Sequence, residues 1–169
     1  MAGIAVYCAY AWRFSTRITT GIWPLTSPPL TAGDIDMAQL KAPIIYIRLH
    51  GLPGQPFFYG DPGRATALSA SQVRATDFAG SLVFLEGCYG AEMAEAFLDA
   101  GARAVTGSGD ATWGRAYRLG PSSKVGRAWL QSVRRGEPVR AALKAALNTV
   151  KIPYRHAWAV QGDAGAKLL

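Results

Sequence analysis

Ile44-Ile45-Tyr46-Ile47-Arg48-Leu49 running into His50-Gly51, and Leu82-Val83-Phe84-Leu85-Glu86 running into Gly87-Cys88, are the two stretches from which the fold is read. Each is a continuous apolar run rich in β-branched and aromatic residues, the composition of a strand covered on both faces in a parallel sheet flanked by helices. In such sheets functional side chains gather beyond the carboxyl ends of strands. Parallel neighbours lie roughly 4.8 Å apart, so pairing of these two strands would set His50 and Cys88 over one crevice. A thiol and an imidazole so placed are what nucleophilic catalysis by cysteine requires.

Around these strands the pattern alternates. Ile4 to Tyr10 reads as a first strand, and residues 13 to 41, with Trp23-Pro24 and Ser27-Pro28-Pro29, read as an irregular surface excursion. Pro56 to Tyr59 fits one arm of a hairpin turning at Gly60-Asp61-Pro62-Gly63, and Ser71 to Phe78 a short helix. Met93, Ala96, Phe97 and Ala100 fall at helical spacing in an amphipathic segment, Ala91 to Ala100, that Gly101 is ready to stop. Arg103 to Thr106 reads as a strand, with Gly107-Ser108-Gly109-Asp110 as the loop leaving its carboxyl end. Helices are expected at Ser123 to Arg135 and Pro138 to Val150, punctuated by Gly136, and a last strand at His156 to Val160. The sum is an α/β layered fold.

A chain of 169 residues fits one domain that buries about 70% of its unfolded surface. Two cysteines, Cys8 and Cys88, are too few for a disulfide framework, which favours a reducing compartment such as the cytoplasm. The net charge of +7 allows weak attraction to anions, but no aromatic-interleaved basic motif marks specific nucleic-acid binding. Ala2 to Trp12 is apolar yet too short to span a bilayer; no basic residue precedes it, although Ala9-Tyr10-Ala11 has the small-x-small look of a cleavage site.

A resting cysteine is only a few per cent thiolate at neutral pH, so a catalytic one needs help. A helix starting near Gly90 would aim its positive end at Cys88, and His50 would serve as general base and then acid. The backbone amides of Gly51 and Cys88 are the natural oxyanion donors. Cys8, inside an apolar strand, reads as packing, His156 as an ordinary surface histidine, and Asp61 and Asp163 as turn residues. No metal-ligand spacing and no cofactor motif is present.

An apolar strand ending in His-Gly, followed by one ending in Gly-Cys, resembles the caspase-like (clan CD) cysteine peptidases. The run Gly87-Cys88-Tyr89-Gly90, then Gly101-Ala102-Arg103-Ala104-Val105-Thr106-Gly107-Ser108, Gly136 to Leu143, and Trp158 to Asp163 are most similar to the CHAT and gingipain branches. The resemblance covers residues 43 to 165 of a single domain, 1–169, and leaves 1 to 42 unmatched. It implies a three-layer caspase-hemoglobinase fold, mostly parallel sheet with helices on both faces, and a His50/Cys88 dyad cleaving peptide bonds through a thioester acyl-enzyme. The chain is short for a full caspase-type enzyme.

Glu86 stands two residues before Cys88 and so on the same face of its strand. In related peptidases an acid there, or on the loop after the next strand, lines the specificity pocket, which nominates Glu86 and Asp110 to bind a substrate Arg or Lys. The alternative is that Glu86 is satisfied by a neighbouring base inside the fold. A peptidase of that preference would meet Arg115, Arg118 and Lys124 in its own chain just after Asp110. The implied partner is a protein or peptide substrate, with a regulatory protein beside it. The rival reading keeps the fold without the chemistry, as a caspase-like scaffold or signalling module.

Overall fold

The computed structural model describes residues 3–61 and 65–168. A six-stranded sheet runs through it in the order β2-β1-β3-β6-β7-β8. The strands are β1 (Ile4–Ala9), β2 (Leu25–Ser27), β3 (Ile44–Arg48), β6 (Leu82–Leu85), β7 (Ala104–Ser108) and β8 (Trp158–Gly162). All neighbours are parallel except β8, which returns antiparallel along β7. A separate hairpin pairs β4 (Phe57–Tyr59) with β5 (Thr66–Ser69). Of its expected turn, Pro62 and Gly63 lie outside the described residues.

Two cores sandwich the sheet, as continuous apolar strands require. Ile45, Ile47, Val83 and Leu85 face a layer containing α2 (Ala70–Arg74) and α3 (Ala94–Asp99). Ile44, Tyr46, Leu82 and Phe84 face α4 (Pro121–Arg134) and α5 (Val139–Thr149). Phe84 anchors the second core, its ring 4.9 Å from Trp129 and 5.5 Å from Trp158. Gly126 lets α4 settle on the sheet: a Cβ there would lie 2.1 Å from the Tyr46 hydroxyl.

The structure corrects several expectations, among them the helix over Ser71 to Phe78, which is the shorter α2. Residues 13–41 are not an irregular excursion: they hold α1 (Arg13–Thr20), the edge strand β2 and a 3₁₀ turn at Met37–Leu40. Strand β7 runs on through Gly107 and Ser108, because pairing with β8 extends it. His156 lies in a 3₁₀ turn before β8, which starts only at Trp158. The helix expected over Ala91 to Ala100 is a 3₁₀ turn, Gly90–Met93, followed by the six-residue α3. Gly101 ends it with φ +91°.

Candidate active site

The register between β3 and β6 pairs Ile44 with Leu82 and Ile47 with Leu85, so both strands finish at the same rim. Beyond them the two chain ends are pressed together. A Cβ on Gly51 would lie 2.1 Å from the Cys88 carbonyl oxygen, and one on Gly87 would lie 2.4 Å from the Leu49 carbonyl oxygen. No other residue fits either position without moving backbone, which explains both glycines. His50-Gly51 and Gly87-Cys88 therefore lie side by side, on one rim of one sheet.

His50 is fixed by its backbone, which exchanges two hydrogen bonds with Tyr59 of the hairpin, N–H to carbonyl at 2.9 and 2.8 Å. Its ring packs on Trp12, centroids 4.1 Å apart. Nε2 is buried and has no hydrogen-bond partner among the described residues. Burial holds the imidazole below its ordinary range; Asp61 pulls the other way, and the Arg48 cation adds to the lowering. A neutral imidazole can accept a proton.

Cys88 is half-buried. Its sulfur meets the backbone of Thr112: the Thr112 N–H donates to Sγ at 3.3 Å and the thiol faces the Thr112 carbonyl at 3.5 Å. The loop after β7 thus lies over the thiol, pinned by Tyr89 N–H to Asp110 carbonyl at 3.1 Å. Tyr89 itself takes φ +52°, a conformation uncommon outside glycine, at the turn that leaves the thiol. Because a 3₁₀ turn separates Cys88 from the short α3, the helix-dipole help expected from the sequence is weak. Among the described residues, the amides of Gly51 and Cys88 donate no hydrogen bond to a backbone carbonyl.

Glu86 shares a face with Tyr46 and Arg48 but does not line an opening, being 2% exposed. One carboxylate oxygen forms an ion pair with Arg48 Nε at 3.2 Å and accepts from Ser122 Oγ at 3.1 Å and Ser123 Oγ at 2.7 Å. The other accepts from the Tyr46 hydroxyl, whose own pKa burial and this carboxylate push well up. Arg48 completes its fork with Ser15 Oγ at 2.6 Å and the Arg115 carbonyl at 3.3 Å. The environment is that of a carboxylate satisfied by an internal base, not a wall of a substrate pocket. A signal for this existed: Arg48 stands two residues before His50 as Glu86 stands two before Cys88, so parallel pairing aligns them.

Asp110 is half-buried on the loop beside Cys88, with Oδ1 accepting from the Ala111 N–H at 2.6 Å. Arg115 and Arg118 are exposed on the same loop, and Lys124 is exposed on α4. Thr112, Trp12 and Arg48 are the site residues that sequence reasoning missed. Cys8 is fully buried, and its thiol is pushed up to about 12 by burial, as suits packing. No helix among the described residues is long and apolar enough to cross a membrane.

The arrangement is a caspase-like fold with a thiol and an imidazole at adjacent strand ends. The chain is similar to the Arg-specific cysteine proteinase gingipain R, with TM-score 0.72 and 13% identity over 99% of this chain and 48% of that one. A second solved structure, described as a protease, is similar with TM-score 0.56 and 16% identity over 98% of this chain and 48% of that one. This chain thus spans about half the length of each structure it matches. No protein-family model and no curated protein matches it.

Proposed function

We propose that this chain is a cysteine endopeptidase acting through Cys88 and His50. The observation that carries the reading is the glycine-dependent contact of His50-Gly51 with Gly87-Cys88 at one sheet rim. His50 takes the thiol proton, and the sulfur attacks the scissile carbonyl carbon. The amides of Gly51 and Cys88 receive the oxyanion, a contribution worth on the order of 3 kcal/mol per donor. The imidazolium returns its proton to the leaving amine as the C–N bond breaks, leaving a thioester. Water, deprotonated by His50, then releases the acid and restores the thiol.

Attack on a substrate requires the Thr112 backbone to leave the sulfur, which its N–H and carbonyl now contact. Cleavage after Arg or Lys is supported by Asp110 beside Cys88. Glu86 contributes little charge there because Arg48 neutralises it. The test is acyl release from Arg, Lys and Asp reporter peptides by wild type, Cys88→Ala and His50→Ala. Release confined to wild type with Arg or Lys preferred supports the reading; preference for Asp removes the specificity, and equal turnover by Cys88→Ala removes the dyad.

The Thr112 contact also favours a second reading, a silent caspase-like module whose thiol is permanently covered. An Arg-directed acyloxymethyl ketone separates the two. Labelling of Cys88 that is lost in His50→Ala supports the peptidase, and a thiol inert to the probe supports the silent module.

A further inference from the structure

Helix α1 is built inside out. Its buried residues are Ser15, Thr16, Thr19 and Thr20, while Phe14 is 37% and Ile18 47% exposed. The inward hydroxyls are accounted for. Thr19 and Thr20 donate back to the carbonyls of Ser15 and Thr16 at 2.9 and 3.0 Å, and Ser15 and Thr16 also face the Arg48 guanidinium. The outward apolar side chains have no such account, for a helix on a globular surface ordinarily turns that face to the core. They continue into an exposed cluster, with Phe14 5.8 Å from Trp23 and 6.1 Å from Tyr117 between ring centroids. Contiguous exposed apolar surface of this kind marks an interaction site.

The cluster is cationic as well as aromatic. The Arg13 guanidinium lies 3.7 Å from the Tyr10 ring centroid and 4.4 Å from that of Phe14, and Arg17 lies 4.3 Å from that of Trp23. Neither arginine has an acidic partner among the described residues. No Asp or Glu occurs from residue 3 to 33 or from 111 to 136, the two segments that form the patch. Asp61 stands at its margin, where Oδ1 accepts from the Ala11 N–H at 3.4 Å. The patch also adjoins the candidate active site, since Trp12 at the start of α1 packs on His50 and Ser15 N–H donates to the Ala116 carbonyl at 3.2 Å.

We propose that the outer face of α1 is a docking surface for an acidic stretch of a polypeptide, seated beside the dyad. A guanidinium stacked on a ring leaves its in-plane N–H groups pointing outward for carboxylate contacts, and the rings give apolar side chains between the acids a place to bury. Arg17 makes no side-chain hydrogen bond among the described residues, and Arg13 gives only Nη1 to the Tyr10 carbonyl at 2.8 Å. Single-stranded nucleic acid is the poorer fit, because its bases need open ring faces and a face of Tyr10, Phe14 and Trp23 is already occupied by a guanidinium. Naming the occupant as the substrate rests on the peptidase reading above. The docking chemistry does not.

The test uses the full chain carrying Cys88→Ala, so that binding is read without turnover. Fluorescence anisotropy follows a short Glu/Asp-rich peptide bearing Leu and Phe, its Gln/Asn counterpart, and an oligouridine RNA of equal length. The acidic peptide is expected to bind, weakening as salt rises, while the Gln/Asn peptide binds much less. Arg13→Gln/Arg17→Gln should lower affinity by about tenfold or more, the loss of charged hydrogen bonds. Arg17→Lys, which keeps charge and fold but not the planar fork, should fall between. Equal binding of the Gln/Asn peptide, or unchanged affinity in a double variant with wild-type melting, overturns the proposal. Tighter binding of the RNA overturns it in favour of a nucleic-acid face. Acidic-peptide binding in a chain whose wild type cleaves no reporter leaves the docking surface standing and removes only the peptidase.

Discussion

Glu86→Gln removes the countercharge of Arg48 while keeping the shape of the side chain, and the structure fixes what it should cost. Both side chains are 1% exposed, so the guanidinium left behind has no water to turn to. Its remaining partners, Ser15, Thr16 and the Arg115 carbonyl, are neutral. Breaking a buried ion pair by removing one member costs about 3–5 kcal/mol. For a domain of this length each kcal/mol moves Tm by about 2–4 °C, so a fall of roughly 6–20 °C is expected in thermal unfolding followed by circular dichroism. Arg48→Met/Glu86→Leu, which removes both charges, should recover most of it, because well-packed apolar replacements of a buried pair are often neutral. If Glu86 instead lined a substrate pocket, Glu86→Gln would melt within about 2 °C of wild type, as surface substitutions do, and would lose Arg preference. That pair of results would refute the reasoning.

Other outcomes follow from the same geometry. Gly51→Ala and Gly87→Ala each drive a Cβ into backbone, so either should abolish reporter turnover and lower Tm by several degrees. At alkaline pH, Cys8 and Tyr7 keep protons that the unfolded chain releases from about 9 and 10 upward, since burial pushes both up to about 12. Stability present below pH 9 should therefore be lost as pH rises toward 12, and Cys8→Ser or Cys8→Ala should soften that slope in melts across the range. His50 has the opposite sense: its folded pKa lies below 6.5 through burial, so stability is full above 6.5 and falls as pH drops below it. His50→Gln should flatten that acid limb. Freshly purified wild type should be nicked after Arg115 or Arg118, both exposed on the loop over Cys88, with Cys88→Ala intact by mass spectrometry; identical masses would count against self-cleavage.

The strands were legible because burial on both faces writes an unbroken apolar run. β1, β3, β6 and β7 all show it, and the adjacency of His50 and Cys88 follows from their being parallel neighbours. Helix α1 was illegible for a definite reason. Arg13-Phe14-Ser15-Thr16-Arg17-Ile18-Thr19-Thr20 is rich in β-branched and hydroxyl residues of modest helix propensity, and its apolar periodicity points away from the core. Sequence reading assumes that the apolar face is the buried one, so an inverted helix looks like a loop. The helix after Cys88 was misread in the other direction: Ala91 to Ala100 has helical spacing, yet the left-handed turn at Tyr89 and the contact of Gly90 with Leu85 tighten its first turn to 3₁₀. Thr112 could not be found from sequence, because its shorter contacts with the sulfur are made by its backbone, at 3.3 and 3.5 Å, with the hydroxyl farther off at 3.9 Å.

The inverted helix and the buried charge explain one another. Arg48 points toward the α4 face of the sheet; Glu86 balances its charge, but an apolar helix at α1 would leave Nη1 buried without a hydrogen-bond partner. Ser15 and Thr16 of α1, Ser122 and Ser123 of α4, Glu86 and the Arg115 carbonyl together form a polar shell around that charge. Once the inner face of α1 is committed to hydroxyls, its apolar residues can only face outward, which generates the exposed patch. The same guanidinium lies 4.9 Å from the centroid of Trp12, whose ring packs on His50, and bonds the loop that carries Thr112 over Cys88. One buried cation therefore ties together the imidazole, the loop covering the thiol and the orientation of α1. Loss of Arg48 alone should loosen all three at once, and Arg48→Met should raise the alkylation rate of Cys88 by iodoacetamide even where the chain remains folded. An unchanged alkylation rate in folded Arg48→Met would show that the loop is held by its other contacts, Tyr89 with Asp110 and Ser122 with Trp113.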